Sequence, residues 1–140
     1  MITRYVQSRL QPRTFLFRDK DYNCFYHDYN LTWSNERCVE LPLGFDYIER
    51  FQNKRILEVG NILSHYKKIS HKIIDKYEHA PDVLNEDIIE YKSSEQYNLV
   101  LSIATFEHIG FNDNLSNYES SGEKIIASIA SCKAHLAPDN

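Results

Sequence analysis

The feature that most constrains this chain is a short apolar run at residues 55–59 that is followed directly by a glycine. The run has the length of one buried strand, and it carries an acid, Glu58, just before Val59 and Gly60. A glycine at such a point permits a positive φ or a close approach of the backbone to a ligand. The pattern therefore predicts a strand, a tight turn at Gly60 and a helix over residues 62–69.

Three further apolar runs follow, as a parallel sheet requires. Residues 71–75 predict a second strand that ends at Asp75, and residues 83–84 predict a short third strand. Residues 97–103 are almost entirely apolar, which is typical of a strand whose two faces are both covered by helices. The alternation of strands with helical segments predicts an α/β protein with an open, mostly parallel, doubly wound sheet.

The last predicted element is an amphipathic helix over residues 122–137, preceded by a polar loop at 111–121. Apolar residues recur along the helix at helical spacing. The face predicted to point inward consists of Ile125, Ile126, Ile129, Cys132 and Leu136.

The first third of the chain is rich in aromatic and β-forming residues. Residues 14–17 and 23–29 predict an aromatic β-hairpin or extended arm around a charged turn at 18–21. Residues 31–40 predict another extended piece, which ends at Pro42.

A short helix is predicted at residues 44–52 because its apolar residues recur every three positions. The predicted organisation is then a β extension over residues 1–42 and a cofactor-binding α/β core over 43–140. A chain of 140 residues has the length of one compact domain overall.

Composition argues against several classes of protein. The net charge of −4 gives no signal for nucleic-acid binding, and no apolar run approaches the roughly 20 residues that span a bilayer. Residues 1–10 lack the apolar stretch of a secretory signal. The three cysteines include no Cys-x-x-Cys pair, and the histidines lack the spacing of a metal site. We therefore expect a cytoplasmic protein with reduced thiols, no metal and no membrane partner.

Polar residues lie where the predicted parallel strands end. In such sheets ligands bind at the carboxyl ends of the strands. A carboxylate after the second strand can accept both hydroxyls of a ribose, and a glycine turn lets backbone N–H groups reach a carboxylate or phosphate. The combination points to a nucleoside-bearing cofactor. The residues concerned are Glu58, Gly60, Asp75, Asp87 and the segment 102–108.

The order and spacing of these segments resemble the class I S-adenosylmethionine-dependent methyltransferases, a Rossmann-like family, over roughly residues 54–140. The matching segments are Leu57-Glu58-Val59-Gly60 for the first motif, Ile74-Asp75 and Asn85-Glu86-Asp87-Ile88 for the acids after the second and third strands, Tyr97-Asn98-Leu99-Val100-Leu101-Ser102 with Phe106-Glu107-His108-Ile109 for the fourth strand, and Leu136-Ala137-Pro138-Asp139-Asn140 for the turn before the fifth.

The resemblance implies S-adenosyl-L-methionine as cofactor and methyl transfer to an acceptor that the sequence does not identify. Gly60 and Asn61 would line the methionine part, while Glu58 would support the loop. Asp75 would hold the ribose hydroxyls, with Glu78 as the alternative if the strand ends later. The remaining implied contacts are Asp87 and Ile88 at the adenine, Ser102 and Ile103 at the pocket floor, and His108 or Glu107 as a base for a hydroxyl acceptor.

The chain departs from the family pattern in two ways. Ile62 and Ser64 occupy the second and third glycine positions of the first motif, so Ser64 and Tyr66 would supply hydrogen bonds there instead. The family's fifth strand and final hairpin would follow Asn140, so the chain is expected to be truncated relative to the family. Without them, strand 97–103 would form an apolar sheet edge, which predicts a homodimer or coverage by the N-terminal arm.

These departures leave a second hypothesis open. The chain would then be a non-catalytic protein of the methyltransferase fold that acts as a binding or scaffold subunit. A dehydrogenase is a poorer match, because the Gly-x-Gly-x-x-Gly turn is missing.

Overall fold

The computed structural model describes residues 13–110 and 119–138. The chain divides into two compact units. The first, here called the hairpin unit, comprises Met1–Arg50 with Leu63–Lys68, and the second, the sheet unit, comprises Phe51–Ile62 with Ile69–Asn140.

The hairpin unit begins with two antiparallel strands, β1 (Thr14–Phe17) and β2 (Lys20–Asn23). Arg18 and Asp19 both have positive φ, as in the two-residue turns that match the twist of a hairpin. The first strand coincides with the predicted 14–17, but the prediction for the second strand, residues 23–29, is wrong. The tight turn returns the chain at once, so pairing begins at Lys20 and ends at Asn23.

The predicted extended piece at 31–40 is also wrong. The chain instead forms 3₁₀ turns over Tyr29–Ser34 and then the helix α1 (Arg37–Arg50), which starts well before the predicted 44–52 helix. The Asn35 side chain accepts the Arg37 N–H at 3.1 Å and satisfies one of the free donors at the helix start.

Pro42 lies inside α1 instead of ending a strand. A proline removes the hydrogen bond to the carbonyl four residues earlier, which here belongs to Cys38. That carbonyl accepts the Phe25 N–H at 2.9 Å instead. The replacement bond explains how the helix tolerates a residue that usually breaks helices.

The sheet unit contains a four-stranded, fully parallel sheet, which confirms the predicted α/β class. Its strands are β3 (Ile56–Val59), β4 (Lys72–Ile74), β5 (Val83–Leu84) and β6 (Leu99–Ser102), in the spatial order β5-β4-β3-β6. All four lie inside the predicted strand segments. The core of this unit consists of Leu57, Val59, Ile74, Ile88, Tyr91, Tyr97 and Cys132.

The helix predicted at 62–69 is wrong. The connection from β3 to β4 contains only a single 3₁₀ turn, Leu63–His65. His65 and Tyr66 pack into an aromatic cluster of the hairpin unit. The His65 ring stacks on the Tyr29 ring with 4.9 Å between ring centroids, and the Tyr66 ring meets the Phe25 ring edge-on with 5.8 Å between centroids. Residues with apparent helical spacing thus serve aromatic packing instead.

The final helix is α2 (Glu119–Ala134), and its predicted inward face is wrong at three positions. Ile126, Ile129 and Leu136 are 69%, 52% and 40% exposed, whereas Ser128 and Cys132 are buried. The buried Ser128 hydroxyl donates to the Lys124 carbonyl at 2.8 Å, so a polar side chain enters the core without an unsatisfied group. Of the predicted 111–121 loop, residues 111–118 lie outside the described residues.

After α2 the chain returns beside the start of β6. Tyr97 forms an isolated parallel bridge with Leu136, and the Tyr97 N–H donates to the His135 carbonyl at 2.8 Å. Tyr97 and Leu136 lie in the segments that the sequence resemblance assigns to the fourth strand and to the turn before the fifth. Asp139 and Asn140 of that turn lie outside the described residues.

Candidate functional site

The turn after β3 depends on the absence of a side chain at Gly60. Its φ is +87°, in the region that favours glycine, and its N–H donates to the Ile74 carbonyl at 2.8 Å. A methyl group there would lie 2.8 Å from Thr105 Cγ2 and closer still to Thr105 Oγ1. Gly60 therefore lets the segments that follow β3 and β6 come into direct contact.

Glu58 is completely buried, and both of its carboxylate oxygens have partners. Oε1 accepts the Ile62 N–H at 3.0 Å, and Oε2 lies 2.7 Å from His71 Nε2. The His71 side chain is only 8% exposed, so acid and imidazole form a buried pair. Removing one member would take a buried hydrogen-bond partner from the other, which is destabilising in a protein interior. Glu58 thus fixes the backbone two residues beyond Gly60.

Asp75 follows β4 and binds backbone amides on both sides. Its Oδ2 accepts the Asn61 N–H at 2.9 Å. Its Oδ1 accepts the N–H groups of Tyr77 and Glu78 at 2.9 and 2.8 Å. A carboxylate offers about four acceptor positions, so most of the capacity of Asp75 serves its own loop.

Glu78 lies on the turn that Asp75 organises. Its Oε1 accepts a hydrogen bond from the Asn61 side-chain amide at 2.7 Å. Asn61 is only 3% exposed, whereas Glu78 is partly exposed. The residue after Gly60 is therefore tied to two acids after β4, through its backbone and its side chain.

The segment after β5 is bound to the same region. The Asn85 side-chain amide donates to the Asp75 and Lys76 carbonyls at 2.9 and 2.8 Å. Asp87 accepts the Ile89 N–H at 2.9 Å and pairs with Lys76 Nζ at 3.1 Å. Ile88, between these groups, is 4% exposed and belongs to the core of the sheet unit.

The segment after β6 holds the remaining predicted residues. The Ser102 hydroxyl donates to the Val59 carbonyl at 2.9 Å, and Ile103 is buried. Glu107 and His108 lie exposed on a 3₁₀ turn, Phe106–His108.

These contacts bring the residues that follow all four parallel strands to one edge of the sheet, here called the carboxyl edge. Comparison of the chain with protein-family models, curated proteins and solved structures finds no match. The assignment of a function rests on this edge and on the sequence resemblance.

Ser64 is the one predicted cofactor residue outside the sheet unit. It lies in the 3₁₀ turn Leu63–His65 of the hairpin unit. Tyr66 belongs to that unit too, and burial raises the pKa of its hydroxyl.

Sequence reasoning missed three participants: His71, Asn85 and Thr105. For His71 a signal was present, because an acid inside an apolar strand must find a partner once buried. Thr105 and Asn85 gave no such signal, since loop residues with hydroxyl or amide groups are common and their partners depend on the folded geometry.

A second polar cluster lies at the opposite edge, where the strands begin. The Lys72 ammonium is hydrogen bonded to Glu95, and this contact raises the pKa of Lys72 and lowers that of Glu95. Tyr97 donates to Glu95 at 2.9 Å and lies 2.9 Å from the Tyr91 hydroxyl. Burial raises the pKa of Tyr97, with the Tyr91 and Glu95 hydrogen bonds adding to the effect. Nearby, Glu95, Tyr91 and His135 help to line a groove of about 790 Å³.

Residues 13–110 and 119–138 contain no group of three His, Cys, Asp or Glu side chains that could hold a metal ion. Nor does this part of the chain include a helix with the length and apolar character needed to cross a membrane.

Proposed function

We propose that the sheet unit binds S-adenosyl-L-methionine at its carboxyl edge and that the chain is a methyltransferase or the cofactor-binding part of one. One observation carries the proposal. Asn61, directly after the glycine turn of the first parallel strand, is hydrogen bonded to both Asp75 and Glu78 after the second strand. In doubly wound folds this junction is where the sugar of a nucleotide cofactor lies. The Rossmann-like assignment belongs to the same proposal and is supported by the strand order β5-β4-β3-β6.

The residues at the edge suit the cofactor's groups in part. Glu78 supplies the acceptor for ribose hydroxyls, because the oxygens of Asp75 already hold three backbone N–H groups. Asp75 and Glu58 then act as positioning residues that hold Asn61 and Ile62 in place. The methionine part is assigned to the turn at Gly60 and Asn61.

The cofactor, when bound, supplies an electrophilic methyl group for in-line displacement. The chain's task is to align that group with the acceptor, and such alignment is worth roughly 7–11 kcal/mol. Glu107 and His108 are exposed beside the carboxyl end of β6. For a hydroxyl acceptor, either side chain is available to take the proton.

Titration calorimetry with S-adenosylmethionine and S-adenosylhomocysteine tests the proposal. The wild-type chain is expected to bind both ligands. Glu78→Gln is expected to weaken binding at least about tenfold, which corresponds to 1.4 kcal/mol. Glu86→Gln is the matched control, since Glu86 is an exposed acid of the same sheet unit. Absence of binding at millimolar ligand would overturn the proposal.

The same geometry favours a second candidate, a non-catalytic protein of this fold that acts as a binding or scaffold subunit. The Thr105 side chain fills the space beside Gly60, and three backbone N–H groups take up most of the hydrogen-bonding capacity of the Asp75 carboxylate. Part of the carboxyl edge is therefore filled by the chain's own residues. Asp75→Ala separates the candidates further. If the loop at Asp75 binds the cofactor, the variant loses affinity for S-adenosylmethionine while the sheet stays folded. If the loop only stabilises the fold, the wild type itself has no affinity for S-adenosylmethionine.

A further inference from the structure

Two of the three cysteines lie side by side in the hairpin unit. Cys24 directly follows β2, and Cys38 is the second residue of α1. The Phe25 N–H donates to the Cys38 carbonyl at 2.9 Å, so the peptide group that follows Cys24 is bound to that of Cys38. Burial, followed by the neighbouring Cys24, raises the pKa of the Cys38 thiol, and both residues are partly exposed.

This arrangement suits a disulfide. A disulfide needs Cα atoms about 4.4–6.8 Å apart and side chains directed toward each other. The backbone hydrogen bond brings the two main chains close, and the influence of Cys24 on the pKa of the Cys38 thiol is that of a neighbouring side chain. We therefore expect oxidation to leave β2 and α1 in place.

The third cysteine provides an internal contrast. Cys132 belongs to the buried core of the sheet unit, and burial raises the pKa of its thiol to about 11. A buried thiol with little thiolate is a poor nucleophile at neutral pH. Oxidation is thus expected to be specific to the partly exposed pair.

We propose that Cys24 and Cys38 form a reversible intramolecular disulfide by exchange with a low-molecular-weight disulfide. The Cys24 thiolate attacks one sulfur of the small disulfide, which releases one small thiolate and leaves a mixed disulfide on Cys24. The Cys38 thiolate then attacks the Cys24 sulfur and expels the second small thiolate. The protein gives up two protons and two electrons, and the small disulfide is reduced to two thiols.

The surroundings of the pair set the order of attack. Burial, followed by the neighbouring Cys24, raises the pKa of the Cys38 thiol, and the positive charge of Arg13 opposes this shift. The Tyr26 hydroxyl accepts the Arg13 N–H at 3.3 Å, and burial, with a smaller contribution from Cys24, raises the pKa of Tyr26. Because the pKa of the Cys38 thiol is raised, the first attack is assigned to Cys24. This modification goes beyond the proposed function and does not depend on it.

The test is thiol counting and peptide mapping on the full chain after exposure to oxidised glutathione. The number of thiols that can be alkylated is expected to fall from three to one, with a single linked peptide pair that contains Cys24 and Cys38. Reduced glutathione should restore all three. Cys132→Ser should form the same linked pair, whereas Cys24→Ser and Cys38→Ser should keep a glutathione adduct instead.

The decisive measurement is made on the wild-type chain, so it does not depend on the folding of any serine variant. A wild type that keeps three thiols overturns the proposal. So does a linkage that involves Cys132, or one that joins two chains.

Discussion

At the scale of single residues, Gly60 and Gly122 differ in whether the fold leaves room for a side chain. Gly60→Ala places a side chain at positive φ, at a cost of about 1–2 kcal/mol, and forces it against Thr105. Overpacking adds about 1–3 kcal/mol, so we expect the free energy of unfolding to fall by about 2–5 kcal/mol. Urea unfolding followed by circular dichroism measures this change.

Gly122→Ala is the control for this prediction. Gly122 is exposed in α2, has nothing within 4 Å of an added methyl group and is not in the left-handed region. Alanine there is expected to be neutral or to stabilise the chain by up to about 1 kcal/mol. Adding Thr105→Gly to Gly60→Ala should recover the collision part of the loss. Equal losses in the two single alanine variants would contradict the account of Gly60.

The acids show how far single residues can be interpreted from sequence. The end-of-strand position of Asp75 was predictable, because the apolar run before it defines the strand. Its use was not predictable. A carboxylate followed by a turn can bind a ligand or bind the amides of its own turn, and both outcomes are compatible with the same residues. Only the folded loop shows that Asp75 takes three backbone N–H groups.

At the scale of elements, β2 and α1 are joined through Asp46. Its carboxylate lies 2.5 Å from Lys20 Nζ and 2.6 Å from Arg50 Nη2, and it accepts the Tyr22 hydroxyl hydrogen at 2.8 Å. The Lys20 hydrogen bond is the largest cause that lowers the pKa of Asp46 below its ordinary value of 3.8. The charged form of this acid therefore stabilises the hairpin unit.

Asp46→Asn should destabilise the hairpin unit at neutral pH by about 1 kcal/mol. The lowered pKa sets the sign of the pH dependence. The stabilisation is complete above pH 3.8 and is lost as the pH falls through the lower pKa of the folded state. The difference in the free energy of unfolding between wild type and Asp46→Asn should disappear as the pH falls through that range.

Urea unfolding followed by fluorescence of Trp33, the single tryptophan of the chain, reports on this unit. Asp19→Asn is the control, because Asp19 is exposed at a positive-φ turn position that asparagine tolerates. A difference in the free energy of unfolding that stays constant with pH would show that the charge of Asp46 does not cause the stabilisation.

The cysteine pair predicts a second effect on these elements. A disulfide between Cys24 and Cys38 closes a ring of about 15 residues, which corresponds to a gain of about 3 kcal/mol in the free energy of unfolding. The oxidised wild type should therefore unfold at higher urea than the reduced form, again by Trp33 fluorescence. Cys24→Ser should show no such difference between the two conditions. A lower stability on oxidation would mean that the disulfide distorts the hairpin unit.

At the scale of the whole molecule, the sheet was predictable and its connections were not. Strands β3 to β6 lie in short apolar runs that have the length of a buried strand. The helix predicted at residues 62–69 was wrong because His65 and Tyr66 pack among the aromatic rings of the hairpin unit, and this packing outweighs the apparent helical spacing. Tertiary contacts of this kind override local propensity. The same applies to α1, where the replacement bond to Cys38 permits Pro42.

The edges of the sheet lead to a prediction about association. β6 lies at one end of the strand order, and among the described residues it pairs with β3. Within residues 13–110 and 119–138, the bridge between Tyr97 and Leu136 lies beside the segment just before β6 and not beside β6 itself. An apolar strand with a free edge is a template for pairing with another chain. We therefore expect a homodimer formed along β6.

Light scattering over a range of protein concentrations tests this expectation. The mass should double as the concentration rises, and backbone amides of Leu99–Ser102 should exchange with deuterium more slowly in the dimer. Strand β5 serves as the internal control, since its two residues, Val83–Leu84, offer too short an edge for stable pairing. A constant monomer mass, together with β6 exchange that does not change with concentration, would exclude the dimer. Slower exchange confined to β5 would place the contact at the other end of the sheet.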